Sequence, residues 1–241
     1  MKAWRCEAVR GSRIRAACAL SGLIATLAAM GAPVAAFAAL DAAEVTRKVQ
    51  ARYDETHDLA ADVTQEIIVA SIGKAVVSHG TIAFKKPGKL RMELTDEDPQ
   101  TIVADGTTLW LYQPKEQQVM KAPFDAAFRS TTPISFLTGV GRITDDFDVK
   151  LDASDAAATG TAVTDIVLLL TPRRAGSEVG QLRLTVAPDT FDIRGAEVHD
   201  PLGNISRLRF DHLRRNVGLA DDQFVFHVPA GTDVISAPIG Q

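Results

Sequence analysis

Cysteine is nearly absent from this chain of 241 residues, and the two that occur, Cys6 and Cys18, lie within the first 38 positions. Residues 39–241 contain no thiol. That part of the chain can therefore form neither a disulfide nor a metal site with cysteine ligands.

Signatures of common enzymes are also missing. The sequence has no H-E-x-x-H zinc pair, no G-x-S-x-G nucleophile turn, no Walker phosphate loop and no Rossmann glycine pattern. The histidines are scattered without the spacing of metal ligands: His57, His79, His199, His212 and His227. We therefore expect no enzyme activity, no cofactor and no bound metal.

One acidic run, Asp96-Glu97-Asp98, is a candidate for a divalent-ion site or a catalytic carboxylate pair. It stands directly before Pro99, and short charged runs of this kind are usually solvated loops. A hydrolase with an unrecognised carboxylate site stays an alternative, which replacement of Asp96 and Asp98 by asparagine would test.

The N-terminal segment has the order of a secretory signal peptide. Five basic residues precede an apolar stretch from Ala16 to Met30, and Ala36-Phe37-Ala38 then supplies an A-x-A cleavage site before Ala39. A membrane anchor is the alternative, but about 15 apolar residues fall short of the roughly 20 that span a bilayer. We predict a removed signal peptide, residues 1–38, and one mature domain, residues 39–241, since no Pro/Gly/Ser linker divides the rest.

The predicted mature chain is acidic. The whole chain has 26 basic and 30 acidic residues; removal of five basic residues and Glu7 leaves 21 and 29, a formal net charge of −8. An acidic surface argues against nucleic acid as a partner and against steady adsorption to anionic membranes.

Hydrophobic periodicity predicts one helix and then a long series of strands. From Asp41 to about Thr56, Val45, Val49 and Tyr53 recur at four-residue spacing, as on one face of a helix. The period then changes to two, and turn residues separate short strands. The first series comprises Val63–Val69, Gly80–Phe84, Leu90–Leu94, Thr101–Ala104 and Thr108–Tyr112; the second comprises Phe147–Leu151, Asp165–Thr171, Gln181–Ala187, Asp192–His199, Ile205–Leu213 and Phe224–Val228.

Turn residues and the central region complete the fold prediction. Asp105-Gly106, the region around Pro114 and Asp200–Asn204 have turn composition. From Phe124 to Asp146 the two-residue alternation of apolar side chains is interrupted, which predicts one or two short helices. About eleven or twelve strands with two or three helices predict a mainly β (α+β) fold: a strongly curled antiparallel sheet, or unclosed β-barrel, capped by the helices.

The strand Thr108–Tyr112 is apolar on both faces. Leu109 and Leu111 point to one side, and Trp110 and Tyr112 point to the other. An antiparallel sheet commonly leaves one polar face to solvent. Because both faces of this strand are apolar, we expect both of them to be covered.

Several of these stretches resemble the LolA family of periplasmic outer-membrane lipoprotein carriers, in order and over almost the whole of residues 39–241. The specific part is Ile102–Gly106 followed by Leu109–Tyr112 and Pro114. The other matching stretches are Phe84–Arg91, Gln118-Val119, Thr132-Pro133, Leu170–Pro172, Phe224–Phe226 and Val228–Gly231.

The resemblance implies an unclosed β-barrel whose concave side, capped by helices, holds acyl chains. One face of Thr108–Tyr112 would then meet packed core and the other the lipid cavity. The residues that the resemblance assigns to the cavity are Phe84, Leu90, Met92, Trp110, Tyr112, Ile134, Phe136 and Leu137. The family commonly has Arg-Pro where this chain has Lys86-Pro87, and the resemblance implies that this residue hydrogen-bonds backbone carbonyls of the lid, the helices that cap the cavity. Lys86 keeps the positive charge but lacks the planar guanidinium group with its several donors.

The resemblance also implies partners and location. These are acylated lipoproteins, an inner-membrane lipoprotein-releasing ABC transporter, and an outer-membrane acceptor that is LolB-like or absent. The protein is expected to be a monomer in the periplasm of a Gram-negative cell. Two alternatives stay open: a LolA-like carrier of another envelope lipid, a phospholipid or glycolipid, and a regulatory domain that senses lipoproteins.

Overall fold

Period-two patterning dominates the fold of the protein, of which a computed structural model describes residues 41–124, 142–152, 165–173 and 180–236. The predicted signal peptide and the predicted cavity residues Ile134, Phe136 and Leu137 lie outside these ranges. Within them, two α-helices, one 3₁₀ helix and twelve strands are present.

The helices are α1 (Ala42–Asp54) and α2 (Ile143–Asp146), and the 3₁₀ helix is Asp221–Phe224. The strands, in chain order, are β1 (Asp58–Val69), β2 (Lys74–Lys85), β3 (Lys89–Leu94), β4 (Gln100–Asp105), β5 (Thr108–Gln113), β6 (Gln118–Pro123), β7 (Phe147–Leu151), β8 (Ile166–Pro172), β9 (Gln181–Val186), β10 (Ile193–His199), β11 (Ile205–Arg215) and β12 (Asp233–Ser236).

All twelve strands belong to one sheet in the order β12-β6-β5-β4-β3-β2-β1-β11-β10-β9-β8-β7. Two meanders, β1 to β6 and β7 to β11, join where β1 pairs with β11. Pairing is antiparallel throughout except for β12, which runs parallel to β6. Strands β12 and β7 form the two edges, so the sheet is unclosed, and the predicted fold class is confirmed.

Helix α1 lies on one face of this sheet, which we call the inner face. Asp41 caps the helix by accepting a hydrogen bond from the amide of Ala43 at 3.2 Å. Val45 and Val49 are buried against the β7 to β10 side of the sheet. One turn later, Tyr53 packs against the β1 to β4 side, with its ring stacked on Phe84 at 6.1 Å between centroids. The predicted helix is confirmed, and its apolar stripe spans both halves of the sheet.

The inner face contains two clusters of buried side chains, one on each side of α1. The first comprises Leu59, Ala61, Val63, Ile82, Phe84, Leu90, Met92, Leu94, Ala104, Phe124, Leu208 and Phe210. The second comprises Val45, Val49, Ile143, Phe147, Ile166, Leu168, Leu170, Leu182, Leu184, Val186 and Ala196. Strand partners share a face, so the register Leu59–Phe84–Leu90–Ala104 places one side chain from each of four strands on this surface.

The C-terminal part of the described chain departs from the sequence prediction. The predicted strand Phe224–Val228 is wrong: its first residue ends the 3₁₀ helix, and the residues that follow are not in a strand. Asp221 forms ion pairs with Lys85 and Lys89 at 2.6 and 2.8 Å, which fix the 3₁₀ helix beside β2 and β3 instead of along a sheet edge. Strands β6 and β12 were not among the predicted strands.

Candidate functional site

The candidate site is an apolar cavity between α1 and the inner face of the sheet. Its volume is about 30 Å³, room for one or two water molecules, against the roughly 300–1,000 Å³ of typical ligand pockets. Its walls come from α1, β1, β2, β11 and the turn before β10. The lining residues are Val49, Arg52, Tyr53, Thr56, Leu59, Ile82, Phe84, Phe191, Asp192, Ile193, Phe210, Leu213 and Arg215.

Three predicted cavity residues lie together on the inner face. Phe84 lines the cavity itself. Leu90 pairs with Phe84, and Met92 pairs with Ile82, so both side chains continue the same apolar surface away from α1. Leu90 and Met92 are 0% and 1% exposed, which makes them packed core beside the cavity.

Trp110 and Tyr112 are not placed with these residues. Across the tight turn at Gly106, Ala104 pairs with Leu109 and Ile102 pairs with Leu111, so these two leucines share the inner face. Trp110 and Tyr112 therefore lie on the outer face.

The outer face of β5 is covered by the C-terminal segment. Phe226 stacks with Trp110 at 5.6 Å and with Tyr112 at 6.1 Å between ring centroids. Arg91, also on the outer face, donates a hydrogen bond from Nη1 to the carbonyl of Gln223 at 3.2 Å. The two-sided apolar pattern of β5 thus has two covers, the inner core on one side and the C-terminal segment on the other.

Lys86, the predicted lid contact, reaches the C-terminal end of α1. Its Nζ donates a hydrogen bond to the backbone oxygen of Tyr53 at 2.5 Å and lies 4.0 Å from the centre of the Tyr53 ring. Burial lowers the pKa of Lys86 below its usual value, while the nearby carboxylate of Asp54 opposes this shift. The carbonyl of Tyr53 also accepts a hydrogen bond from the amide of Thr56 at 3.0 Å, and the bond from Lys86 adds a direct link between α1 and the sheet.

A charged cluster in the cavity wall was not anticipated from the sequence. Arg52 of α1 and Arg215 of β11 both direct Nε at Oδ1 of Asp192, at 3.0 and 3.1 Å. The three side chains are 30%, 19% and 18% exposed.

The sequence gives no signal for the position of Arg215, because a β-bulge determines it. Ala60 pairs with Arg214 and Asp62 with Asp211, so β11 has one residue more than β1 between these pairs. His212, in this bulge, has a positive φ of 52°. The extra residue reverses the alternation, and Leu213 and Arg215 face the cavity.

A second unanticipated anchor lies at the start of β1. The carboxylate of Asp58 accepts hydrogen bonds from three consecutive backbone amides, those of Val217, Gly218 and Leu219, at 2.7, 3.0 and 3.2 Å. Asp58 is 5% exposed. This residue ties the chain after β11 to the same end of the sheet as Lys86.

The acidic run does not form a joint site. Asp96 accepts hydrogen bonds from the backbone amide of His79 and pairs with its ring Nδ1 at 2.7 Å, and these bonds lower the pKa of Asp96. Asp98 instead pairs with Lys115 at 2.9 Å, which lowers its pKa. The two carboxylates are thus engaged by different partners.

The described ranges contain neither a metal-binding cluster nor a membrane-spanning helix. In those ranges, no three His, Cys, Asp or Glu side chains are grouped so that they could hold a metal ion. Among the helices of the same ranges, none is both long and apolar enough to cross a membrane.

Comparison with known proteins identifies the family. The model of the outer membrane lipoprotein carrier protein LolA matches residues 54–227. The outer-membrane lipoprotein carrier protein of Dechloromonas aromatica is 34% identical over 180 residues, 75% of this chain and 82% of the relative. That of Chromobacterium violaceum is 29% identical over 211 residues, 88% and 95% of the two chains. A solved LolA superfamily protein from Nitrosomonas europaea has a TM-score of 0.42 and 16% identity, covering 78% of this chain and 99% of that one. The chain therefore belongs to the LolA family of outer membrane lipoprotein carrier proteins.

Proposed function

We propose that this protein is a periplasmic carrier that shields the acyl chains of lipoproteins between α1 and the inner face of the sheet. The observation that supports this most strongly is the cavity itself. Its walls are mainly apolar, and one of them is the single helix α1, packed on the inner face of the sheet. The curated relatives named above are lipoprotein carriers, which agrees with such a use.

The energetic demand on a carrier is large. Burial of acyl chain is worth about 0.8 kcal/mol per CH₂, so one 16-carbon chain is held in a membrane by roughly 12 kcal/mol. A carrier must offer an apolar surface of comparable extent. The inner face supplies it in two buried clusters, which α1 divides.

The cavity of about 30 Å³ must widen before an acyl chain enters. Movement of α1 away from the sheet is the direct route, because Val45, Val49 and Tyr53 cover both clusters. The acyl chain would replace these side chains on the inner face, so apolar contact is exchanged and not lost. Two polar contacts hold α1 in place: the hydrogen bond from Lys86 to Tyr53, and the ion pair between Arg52 and Asp192. Their strength would set how readily the helix moves.

The proposed route is the one that membership of the LolA family implies. A signal peptide, residues 1–38, would export the chain to the periplasm. An inner-membrane ABC transporter would use ATP to load lipoproteins onto the monomeric carrier, and an outer-membrane acceptor, LolB-like or absent, would receive them. No catalytic group is required of the carrier for any of these steps.

Native mass spectrometry of the mature protein, purified from periplasm without detergent, tests this proposal. A bound acylated peptide or lipoprotein is the expected result. A bound phospholipid or glycolipid would instead favour a carrier of another envelope lipid. If the protein arrives without ligand and also fails to take lipoprotein from inner-membrane vesicles containing the transporter and ATP, the proposal is wrong.

A further inference from the structure

We propose that Arg52 and Arg215 form a binding site for the anionic headgroup of an aliphatic lipid whose chain enters the cavity. This inference rests on the proposed use of the cavity for acyl chains and adds a second class of ligand. The anchor of an acylated lipoprotein has no need of a cationic site, whereas a fatty acid or an acidic phospholipid does.

The charges that line the cavity are unbalanced. Arg52, Asp192 and Arg215 are the charged residues in the wall, and the other lining residues are apolar or uncharged. One carboxylate faces two guanidinium groups, which leaves a formal charge of +1 beside an apolar cavity. This local sign is opposite to that of the mature chain as a whole, for which the formal net charge is −8 after removal of five basic residues and Glu7 from totals of 26 and 30.

A structural tether alone does not account for the second arginine. Arg52 with Asp192 already joins α1 to the turn before β10 at 3.0 Å. Arg215 belongs to β11 and is turned toward the cavity by the bulge at His212. Bulges often re-aim a side chain at a functional site, and here the bulge brings a second arginine to a carboxylate that Arg52 already engages.

The donor geometry also leaves room for a ligand. Each arginine directs Nε at the same oxygen, Oδ1 of Asp192. Within the described residues, the structure records no hydrogen-bond partner for the Nη groups of Arg52 and Arg215 other than this carboxylate. Guanidinium groups bind carboxylate and phosphate through paired N–H donors, so an incoming anion can use these nitrogens while its chain follows the wall through Leu213 and Leu59.

The test compares anionic lipids with neutral lipids of the same chain. Displacement of an apolar fluorescent probe from the mature protein is measured with palmitate against methyl palmitate, and with palmitoyl lysophosphatidate against monopalmitoylglycerol. We expect the anionic member of at least one pair to bind about tenfold more tightly, the effect of roughly one charge-assisted contact. The pair that shows the difference identifies carboxylate or phosphate as the headgroup.

Three variants sharpen the test. Arg215→Gln should remove the preference for the anion, and Arg215→Lys should restore part of it. Asp192→Asn should strengthen binding of the anionic lipid, since it removes the competing carboxylate; a purely structural cluster would not show this gain. Arg207→Gln is the matched control, because Arg207 pairs with Glu197 and Glu66 away from the cavity.

Two results would overturn the inference. Equal affinity for both members of each lipid pair would do so, and so would an unchanged preference in Arg215→Gln. A triacylated lipopeptide, assayed in parallel, separates this failure from that of the carrier proposal. If the lipopeptide binds but the anion has no advantage, only the headgroup site is wrong; if nothing displaces the probe, the carrier proposal fails as well.

Discussion

The ammonium group of Lys86 and the backbone carbonyl of Tyr53 form a 2.5 Å hydrogen bond that joins the end of β2 to the end of α1. The same ammonium lies over the Tyr53 ring, and that ring stacks on Phe84 in the cavity wall. One side chain thus holds the helix at the point where it covers the cavity.

Replacement of Lys86 by methionine should loosen α1 without unfolding the sheet. The lost hydrogen bond is worth about 1 kcal/mol, which corresponds to roughly fivefold more frequent opening. Amide hydrogen exchange in α1 and the rate of uptake of a fluorescent acyl probe should both rise by about this factor.

Lys115→Met is the matched control for the Lys86 variant, since Lys115 forms an exposed ion pair with Asp98 far along the chain from α1. Lys86→Arg should keep exchange slow, because a guanidinium can still donate to the carbonyl of Tyr53. Unchanged exchange in Lys86→Met would show that this bond does not hold the helix.

Replacement of Asp58 by alanine should be strongly destabilising. Asp58 is 5% exposed, and its removal takes the shared acceptor from three backbone amides; three such hydrogen bonds contribute about 3 kcal/mol together. Urea denaturation measures the loss. Asp62→Ala, on the same strand but paired with the exposed His212, should cost less than about 0.5 kcal/mol. Similar losses in both variants would contradict the assignment of Asp58 as an anchor.

Acid should release the contact of the 3₁₀ helix with the sheet. Hydrogen bonds from Lys85 and Lys89 lower the pKa of Asp221 from 3.8 to about 2. Because this pKa is lowered on folding, the contribution of Asp221 to stability is present above pH 3.8 and is lost as the pH falls toward about 2.

The comparison of thermal unfolding in the wild type and in Asp221→Asn measures this effect. The wild type should have the higher Tm at pH 6, and the two values should converge between pH 4 and pH 2. A Tm difference that is the same at pH 6 and pH 2 would show that the carboxylate charge has no part in it.

A pair of substitutions, one on the outer face of β5 and one in the cavity wall on β11, separates the effects of the two surfaces. Trp110→Ala removes an outer-face contact with Phe226 and should lower stability by about 2 kcal/mol while leaving acyl binding within twofold of wild type. Leu213→Asn places an amide in the cavity wall and should weaken acyl binding about tenfold. Fluorescent lipid titration with urea denaturation distinguishes the two effects. Loss of acyl binding in Trp110→Ala at unchanged stability would reverse the assignment of faces.

Alternation within strands was readable from the sequence. The Val63 to Val69 pattern and the Thr108 to Tyr112 pattern both correspond to strands, and the stripe through Val45, Val49 and Tyr53 corresponds to α1. These features depend on neighbours along the chain, so local periodicity is sufficient to reveal them.

Which face of a strand meets which cover depends on distant parts of the chain. Trp110 and Tyr112 are suited to a lipid cavity by composition, but Phe226, more than a hundred residues later, covers them. The bulge at His212 likewise reverses the side-chain alternation that simple period-two reasoning assigns to Arg215. Phe224–Val228 has the composition of a strand, yet the ion pairs of Asp221 place it across the sheet.

Photo-crosslinking tests whether acyl chains occupy the space between α1 and the inner face. A triacylated lipopeptide with a diazirine near the end of one acyl chain is bound to the protein. The complex is irradiated, and the labelled residues are identified by mass spectrometry. Labels on cavity residues such as Tyr53, Leu59, Phe84 and Phe210 are the predicted result. Labels concentrated on Trp110, Tyr112 and Phe226 of the outer face would contradict it.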